Sequence, residues 1–233
     1  MILGTIVFML FIIALVCCGV CIYILLSFEF SHNDCLRKKE ILSIGTKSIL
    51  FGAHCFLIHP VIIAIAWIKL YGFPFDPRIW ISFFVHDLGY LGKADIDGSE
   101  GRAHVILGAN IMSIFDKKGS TKWHDFAKYH SRYYAKEDNA KPSKLCIADK
   151  LAICIEPSWL YLPRVKASGE ILEFMAMAKS GGLQAGDHKD IYYAWHKSVK
   201  AYMRKWVEEH KDGKDDLWTP KAKESLNELG VLQ

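Results

Sequence analysis

Apolar residues are concentrated at the start of the chain. Residues 1–28, MILGTIVFMLFIIALVCCGVCIYILLSF, contain no charged side chain, and about 20 apolar residues are enough to cross a bilayer as a helix. A secretory signal would need a basic start and an apolar core of about 7–15 residues. Because this segment has no Lys or Arg and a longer core, the pattern predicts a retained transmembrane anchor over residues 1–28.

A second apolar run covers residues 48–70, and residues 48–68 carry no formal charge. On length alone this run could also enter the membrane. His54 and His59 lie in its middle, however, and polar groups inside a bilayer are energetically costly. We therefore expect a buried core helix here, either continuous or broken into two pieces at Pro60.

The remaining pattern is helical nearly throughout. Apolar positions recur at helical spacing in residues 79–92, 102–115, 123–135 and 144–156, and further helices are expected over residues 168–179 and 190–210. The proline-containing stretches YGFPFDPR and EPSWLYLPR are expected to be turns. The sequence therefore predicts an all-α fold class, divided into the anchor, a juxtamembrane linker at 29–46, a helical domain at 47–215 and a C-terminal tail at 216–233.

Charge adds an orientation to this picture. The chain has 29 Lys and Arg against 25 Asp and Glu, and its first basic cluster, residues 37–39, directly follows the predicted anchor. By the positive-inside tendency that side faces the cytoplasm. Without its first 36 residues the chain keeps 29 basic against 23 acidic residues, which suits anionic substrates or anionic lipid. It lacks the dense basic tracts of a nucleic-acid binder, so we expect a single-pass membrane protein without specific nucleic-acid binding; its oligomeric state stays open.

Six polar residues occupy apolar surroundings or helix ends. A lone buried histidine is usually satisfied by a hydrogen bond in the core, but a buried carboxylate needs a partner because its desolvation costs on the order of several kcal/mol. One shared cation would satisfy the whole set, which consists of His59, His86, Asp87, His104, His130 and Asp149.

Imidazole and carboxylate ligands without a thiolate suit Fe, Mn, Zn or Ni. One octahedral ion is possible with six such ligands. Two ions bridged by a carboxylate would leave positions open for water and substrate, and Asp87, next to His86, is the candidate bridge. We therefore expect a divalent metal cofactor, with two ions favoured.

The order of these residues resembles the HD-domain metal-dependent phosphohydrolase superfamily. The segment HPVIIAIAWIKLYG resembles its first-ligand helix, FFVHDLG its LLHDIG segment and LCIADKLA its ADxL segment. The likeness is closer to a branch with two additional histidines, in which HVILGANIM resembles HxxxGA and AKYHSRYY resembles IxxHT. That branch includes bacterial dinuclear-metal enzymes that split dinucleoside polyphosphates. Either His54 or His59 could be the first ligand, and the sequence after His59 matches the family's first-ligand helix better.

The resemblance covers about residues 50–160 and implies an HD-domain helical bundle that hydrolyses a phosphorylated small molecule through metal-activated water. Basic side chains must complement the substrate phosphates. The candidates are Lys150 beside Asp149, Arg132 two residues after His130, and Lys93 with Arg102 around the loop after the HD pair; together with Asp87, the first three form the predicted catalytic set.

The identity of the substrate stays open. Tyr90 stands where the family often has a lysine, and Lys93 follows three residues later. Two other functions fit the same scaffold. One is a di-iron oxygenase, and the other is a non-catalytic, membrane-associated signalling protein.

Overall fold

Helices account for all the regular secondary structure that the computed structural model describes, namely residues 42–180 and 191–217. The all-α prediction is therefore confirmed for this part of the chain. The predicted anchor at 1–28 and most of the predicted linker and tail lie outside the described residues. Among the described helices, none is both long and apolar enough to cross a bilayer.

The described helices follow one another with short connections, all within the compact unit that begins at Leu42. In chain order they are α1 (Ile44–Phe51), α2 (His59–Tyr71), α3 (Pro77–Val85), α4 (Ser99–Arg102), α5 (Val105–Met112), α6 (Lys122–Lys128), α7 (Arg132–Glu137), α8 (Lys144–Ile155), α9 (Ser158–Ser168), α10 (Glu170–Ser180) and α11 (Ile191–His210). Two 3-10 turns, Leu88–Tyr90 and Ser113–Phe115, follow α3 and α5.

The second apolar run forms two helices, but the break lies upstream of Pro60. Helix α1 ends at Phe51, and α2 begins at His59 with Pro60 in its first turn. Proline is well tolerated there, because an N–H in the first turn has no partner within the helix. The run is thus interrupted over residues 52–58 and does not form one long helix.

Helix α2 packs against α3 and α8 in the largest apolar cluster. Ile63 and Ala66 of α2, Phe83 of α3, and Leu145 and Ala148 of α8 are fully buried there. Four of the six predicted metal ligands lie in these three helices or directly after one of them. The same apolar contacts that stabilise the core therefore also fix the backbone around the site.

Two other expectations about helices were wrong. EPSWLYLPR is not a turn, because most of it belongs to α9, with Pro163 inside the helix. Tyr161 and Val165 of α9 pack against Trp195 of α11, and this burial outweighs the cost of the internal proline. Residues 123–135 form two helices, since the chain leaves the helical path between α6 and α7. His130 lies in that break.

Candidate metal centre

The structure brings all six predicted metal ligands together around the carboxylate of Asp87. Its Oδ2 lies 2.9 Å from His86 Nε2 and 3.2 Å from His59 Nε2. Its Oδ1 lies 3.2 Å from His130 Nε2 and 3.5 Å from His104 Nε2. Each oxygen thus faces a different pair of imidazoles.

Asp149 lies beside His59, which belongs to the first of these pairs. Its Oδ1 lies 3.2 Å from His59 Nε2, and its Oδ2 accepts a hydrogen bond of 2.6 Å from Lys150 Nζ. Lys150 therefore fixes the orientation of Asp149, while the other carboxylate oxygen stays directed at His59. Two overlapping groups of these side chains could hold a metal ion, namely His59, His86 and Asp149, and His86, Asp87 and His130.

Two glycines allow the segments that carry the ligands to approach so closely. A Cβ atom on Gly89 would lie 1.9 Å from the carbonyl oxygen of His104, and one on Gly108 would lie 2.8 Å from Cα of His86. Both distances are too short for any side chain. The HD pair at the end of α3 and His104 at the start of α5 can therefore meet only because these two positions are glycine.

Backbone carbonyls fix the tautomer of three of the histidines. The carbonyl oxygens of Ser82, Gly101 and Ala127 lie 3.1, 2.6 and 2.5 Å from the Nδ1 atoms of His86, His104 and His130. A carbonyl can only accept, so each Nδ1 carries the hydrogen and each neutral ring presents an Nε2 lone pair. This is the arrangement that protein metal sites use to orient imidazole ligands.

Several of the predicted ligand atoms in the cluster have no hydrogen-bond partner. His59 Nε2, His86 Nε2 and Asp87 Oδ2 are sealed from solvent, and their mutual contacts lack hydrogen-bond geometry. His104 Nε2 and His130 Nε2 lie 3.0 Å apart, although both are acceptors in the neutral tautomers. Buried groups of this kind are costly unless something satisfies them. A cation would satisfy these imidazole nitrogens and carboxylate oxygens together, so the cluster fits a cation.

The electrostatics of the cluster suit metal binding, which needs ionised carboxylates and neutral imidazoles. Burial opposes the ionised form of Asp87, but the neighbouring imidazoles, led by His86, outweigh it and hold the pKa of Asp87 well below its usual range. Burial lowers the pKa of His86, and it lowers the pKa of His104 strongly, with help from His130.

His59 differs from the other imidazoles. Burial favours its neutral form, but the close contacts with Asp149 and Asp87 outweigh burial and raise the pKa of His59 to about 10. In turn, burial opposes ionisation of Asp149, but Lys150 and His59 outweigh it and lower its pKa well below the usual value. A bound cation would take the place of the proton that His59 holds between the two carboxylates.

Of the basic residues predicted to contact phosphates, only Lys150 contacts the cluster. Arg132 donates to Asp216 Oδ2 at 2.6 Å and lies over the ring of Trp206. Lys93 lines a shallow depression between α5 and the 3-10 turn after the HD pair, and Arg102 lies over the ring of Tyr133. The catalytic roles assigned to Lys93, Arg132 and Lys150 stay predictions.

Of the two alternatives for the first ligand, His59 lies inside the cluster of buried histidines and aspartates, and His54 lies beside it. The His54 ring meets the His59 ring edge-on at 5.5 Å, and its Nδ1 is bound to Ser48. The second HD pair, His124 and Asp125, lies partly exposed on α6, where its two side chains contact each other. It takes no part in the cluster.

Three further residues near the centre could not be assigned a role from sequence. Tyr90 stacks on the His104 ring at 3.9 Å between centroids, so the position where the family often has lysine supports a ligand ring. The Oδ2 atom of Asp97 is buried and has no hydrogen-bond partner, and burial raises the pKa of Asp97 to about 6. Glu170 is fully buried beside His54. Only the departure at Tyr90 was visible in the pattern, because Asp97 and Glu170 stand in ordinary polar stretches.

Comparisons of the whole chain with protein-family models, curated proteins and solved structures found no match. The resemblance to the HD superfamily therefore stays a prediction from the quoted segments. What the structure adds is independent of any family, because the buried histidines and aspartates are placed so that they could hold a metal ion.

Proposed function

We propose that the chain is a membrane-anchored, metal-dependent phosphohydrolase of the HD type. It cleaves a phosphoester or phosphoanhydride bond of a nucleotide or another small phosphorylated molecule, using metal-activated water. The observation that carries this proposal is the division of donors around Asp87, whose two oxygens face separate pairs of Nε2 atoms within 3.5 Å.

Two divalent ions, when bound, lower the pKa of a water molecule and neutralise charge that develops on a phosphoryl group. The residues of the chain hold and orient the ligands for that chemistry. Asp87 would hold the ions through its carboxylate, and Lys150 holds Asp149 so that one carboxylate oxygen stays available. Iron and manganese are the favoured ions for an imidazole and carboxylate set.

The first test combines metal analysis with a substrate screen on the full chain, purified in detergent. We expect a transition metal to co-purify. With added Mn²⁺ or Fe²⁺, the protein should hydrolyse bis(p-nitrophenyl) phosphate or a member of a panel of mononucleotides, dinucleoside polyphosphates, cyclic dinucleotides and sugar phosphates. Full metal content without turnover on any of these compounds would count against the proposal, and oxygen consumption by the iron form would instead indicate the oxygenase.

The chain offers a matched control for this experiment, because it contains two HD pairs. His86→Ala removes a ligand that is almost fully buried, whereas His124→Ala removes the histidine of the exposed pair on α6. We expect His86→Ala to lose metal and turnover, and His124→Ala to retain both. A His86→Ala protein that unfolds, in a chain without measurable wild-type turnover, would favour the non-catalytic alternative.

The membrane part of the proposal needs its own test. It rests on the 28 uncharged residues at the start of the chain and on the basic cluster that follows them. We expect the full chain to stay with the membrane fraction after an alkaline carbonate wash, with a C-terminal tag protected from protease added outside intact cells. Release of the full chain by the wash would contradict the anchor and leave the metal chemistry untouched.

A further inference from the structure

A second buried carboxylate lies next to the metal centre without belonging to it. Glu170, the first residue of α10, is fully buried. Its Oε2 accepts from the backbone N–H of Ala53 at 2.9 Å and from the hydroxyl of Ser168, and its Oε1 accepts from the Ser48 hydroxyl at 2.5 Å. Burial opposes ionisation, but the neighbouring His54 ring and the hydrogen bonds from Ser168 and Ser48 outweigh it and lower the pKa of Glu170.

The backbone is shaped to admit this carboxylate. A Cβ atom on Gly52 would lie 2.0 Å from Glu170 Oε2, so any side chain at position 52 would displace it. Gly52 lies in the stretch that interrupts the apolar run between α1 and α2, directly before Ala53 and His54. Glu170 thus binds the segment that leads into the first predicted metal ligand at the N–H of Ala53, and it joins this segment to Ser48 of α1 and Ser168 of α9.

Counting hydrogens at Ser48 determines the tautomer of His54. The Ser48 hydroxyl has one hydrogen, which it donates to Glu170, because an ionised carboxylate can only accept. Its oxygen also lies 2.7 Å from His54 Nδ1 and accepts from the His54 backbone N–H at 3.4 Å. Since no second hydroxyl hydrogen exists, the Nδ1 of His54 must be the donor. In the tautomer with its hydrogen on Nδ1, the His54 ring presents a lone pair on Nε2.

His54 is also the most accessible imidazole at the centre. Its side chain is 17% exposed, against 11% for His59 and 9% or less for His86, His104 and His130. The ring contacts both Tyr90, at 4.6 Å between centroids, and His59. In the described part of the chain, nothing hydrogen-bonds to its Nε2. His54 therefore combines a fixed orientation with a partly exposed side chain, beside the buried candidate ligands.

We propose that His54 Nε2 accepts a hydrogen bond from the water that attacks the phosphorus, and that Glu170 and Ser48 are positioning residues that keep His54 in the Nδ1–H tautomer. This inference rests on the proposed phosphohydrolase function. It gives His54 a catalytic role separate from metal binding. An acceptor held at a fixed place would direct a lone pair of the water towards the phosphorus and so favour the reactive geometry.

The substitution Glu170→Gln tests the relay, because the glutamine amide has nearly the same shape but can donate. Its NH₂ would donate to the Ser48 oxygen, the Ser48 hydroxyl would then donate to His54 Nδ1, and the His54 hydrogen would move to Nε2. The acceptor would be lost without removing an atom from the core. Ser48→Ala should matter less, since Glu170 Oε1 lies only 3.5 Å from His54 Nδ1 and can bind it directly.

The direct readout is the tautomer, and it needs no turnover. Full chain with ¹⁵N-labelled histidine is loaded with Zn²⁺, and long-range ¹H–¹⁵N spectra are recorded at mildly alkaline pH, with the His54 signals assigned by their loss in His54→Gln. We expect the Nδ1–H pattern for His54 in the wild type and in Ser48→Ala, and the Nε2–H pattern in Glu170→Gln. An Nε2–H pattern in the wild type would overturn the inference.

The kinetic readout uses p-nitrophenyl phosphate and phenyl phosphate, which differ in leaving group. An acceptor that orients the nucleophile should contribute on the order of 10²-fold to kcat. We expect Glu170→Gln to lower kcat by about that factor on both substrates, with KM and metal content close to those of the wild type. A larger loss on phenyl phosphate would assign His54 to the leaving group and refute the proposed role, as would unchanged kcat despite an inverted tautomer.

The control is Glu173→Gln, one turn further along α10. Glu173 also accepts hydrogen bonds from a loop, at the N–H groups of Ile96 and Asp97, and glutamine keeps an oxygen that can accept them. This variant should leave the His54 tautomer unchanged, which separates the relay from a general effect of charge on α10. If the wild type turned over neither substrate, the kinetic comparison would be made on the compound of the substrate panel that it hydrolyses. Full metal content without turnover on the whole panel would count against the proposed function, whereas the tautomer result would stand or fall separately.

Discussion

At the scale of single residues, His104 and His130 show most directly what a cation would change. Their Nε2 atoms are 3.0 Å apart, and the carbonyls of Gly101 and Ala127 hold the hydrogens on the other side of each ring. In the neutral tautomers the two lone pairs repel each other. A divalent ion that both nitrogens could bind would turn this repulsion into attraction, so metal binding and folding should be coupled.

We therefore expect the free energy of unfolding of the full chain to rise with Mn²⁺ concentration after chelator treatment. Binding to the folded state alone would add about 2.7 kcal/mol when free metal is 100 times its Kd. Urea unfolding in detergent, followed by tryptophan fluorescence, would measure this. His130→Ala should abolish the metal dependence, and a wild type equally stable with EDTA and with Mn²⁺ would contradict the prediction.

The raised pKa of the Asp97 carboxyl leads to a second prediction at the scale of single residues. Burial raises its pKa to about 6, above the usual value of about 3.9 for an unfolded chain. Between these two values the folded state binds more protons than the unfolded state, so the stability contributed by Asp97 falls as pH rises through this range. Above it, the ionised carboxylate is held in the fold at a cost.

Replacing Asp97 with Asn should remove that cost. We expect Asp97→Asn to be more stable than the wild type at pH 8, by on the order of 1–3 kcal/mol, and the gain to shrink at pH 5. Urea unfolding of both proteins at the two pH values would show it. A gain of equal size at both values would mean that packing, and not ionisation, explains the difference.

How far the site could be predicted depends on how a residue appears in its local context. Asp149 was visible because it interrupts the apolar text LCIADKLAICI, and His86 because it follows ISFFV. His54 was visible as a possible first ligand, but its contacts with Ser48 and Glu170 were not, because Ser48 and Glu170 are 122 residues apart. Local pattern shows which polar groups are out of place, but it does not show which of them meet.

At the scale of secondary-structure elements, the same limit explains what was wrong. Helical periodicity predicted α8 nearly to the residue, since its apolar face packs on α2. It did not predict that α9 continues through Pro163, because the burial of Val165 against α11 is a contact between distant segments. It also predicted one helix over residues 123–135, where the structure has α6 and α7. The pattern does not show that the chain turns between them, where the Ala127 carbonyl accepts a hydrogen bond from His130 Nδ1.

The contact between α5 and the end of α3 leads to a prediction about elements. A Cβ atom on Gly108 would lie 2.7 Å from the carbonyl oxygen of Val85 and 2.8 Å from Cα of His86. Gly108→Ala should therefore push α5 away from the HD pair. We expect it to destabilise the protein by about 1–3 kcal/mol and to weaken Mn²⁺ binding, because His104 at the start of α5 moves with the helix.

Asn110→Ala is the matched control for this prediction, because Asn110 is exposed on the same helix. It should leave both stability and metal affinity close to those of the wild type. Metal affinity can be measured by competition with a fluorescent chelator, and stability by urea unfolding. Gly108→Ala with wild-type metal affinity would show that the approach of α5 to α3 does not set the geometry of the site.

At the scale of the whole molecule, Arg132 connects the break that carries His130 to the end of the described chain. Its Nε donates to Asp216 Oδ2 at 2.6 Å, and its guanidinium lies over the ring of Trp206 in α11. Lys136, one turn along α7, approaches the same carboxylate at 3.4 Å. The side chains of Arg132 and Asp216 are 21% and 8% exposed, so this is a largely desolvated ion pair.

These contacts give Arg132 a structural task that competes with the phosphate-binding role predicted from its position next to His130. If the structural task dominates, Arg132→Ala and Asp216→Ala should each destabilise the protein. A double-mutant cycle should then show a coupling of about 0.5–3 kcal/mol. Metal content and KM for p-nitrophenyl phosphate should change little in Arg132→Ala, once the assay is run well below its unfolding temperature.

A role of Arg132 in phosphate binding predicts different results for the same variants. A phosphate-binding Arg132 would raise KM strongly in Arg132→Ala, whereas Asp216→Ala, which frees the guanidinium, would leave KM unchanged or lower it. Lys150 is the internal comparison, because it contacts a proposed ligand directly through Asp149. Lys150→Ala should therefore weaken metal binding, which Arg132→Ala should not. The pair of variants separates a residue that supports the metal centre from one that fastens the C-terminal segment to α7.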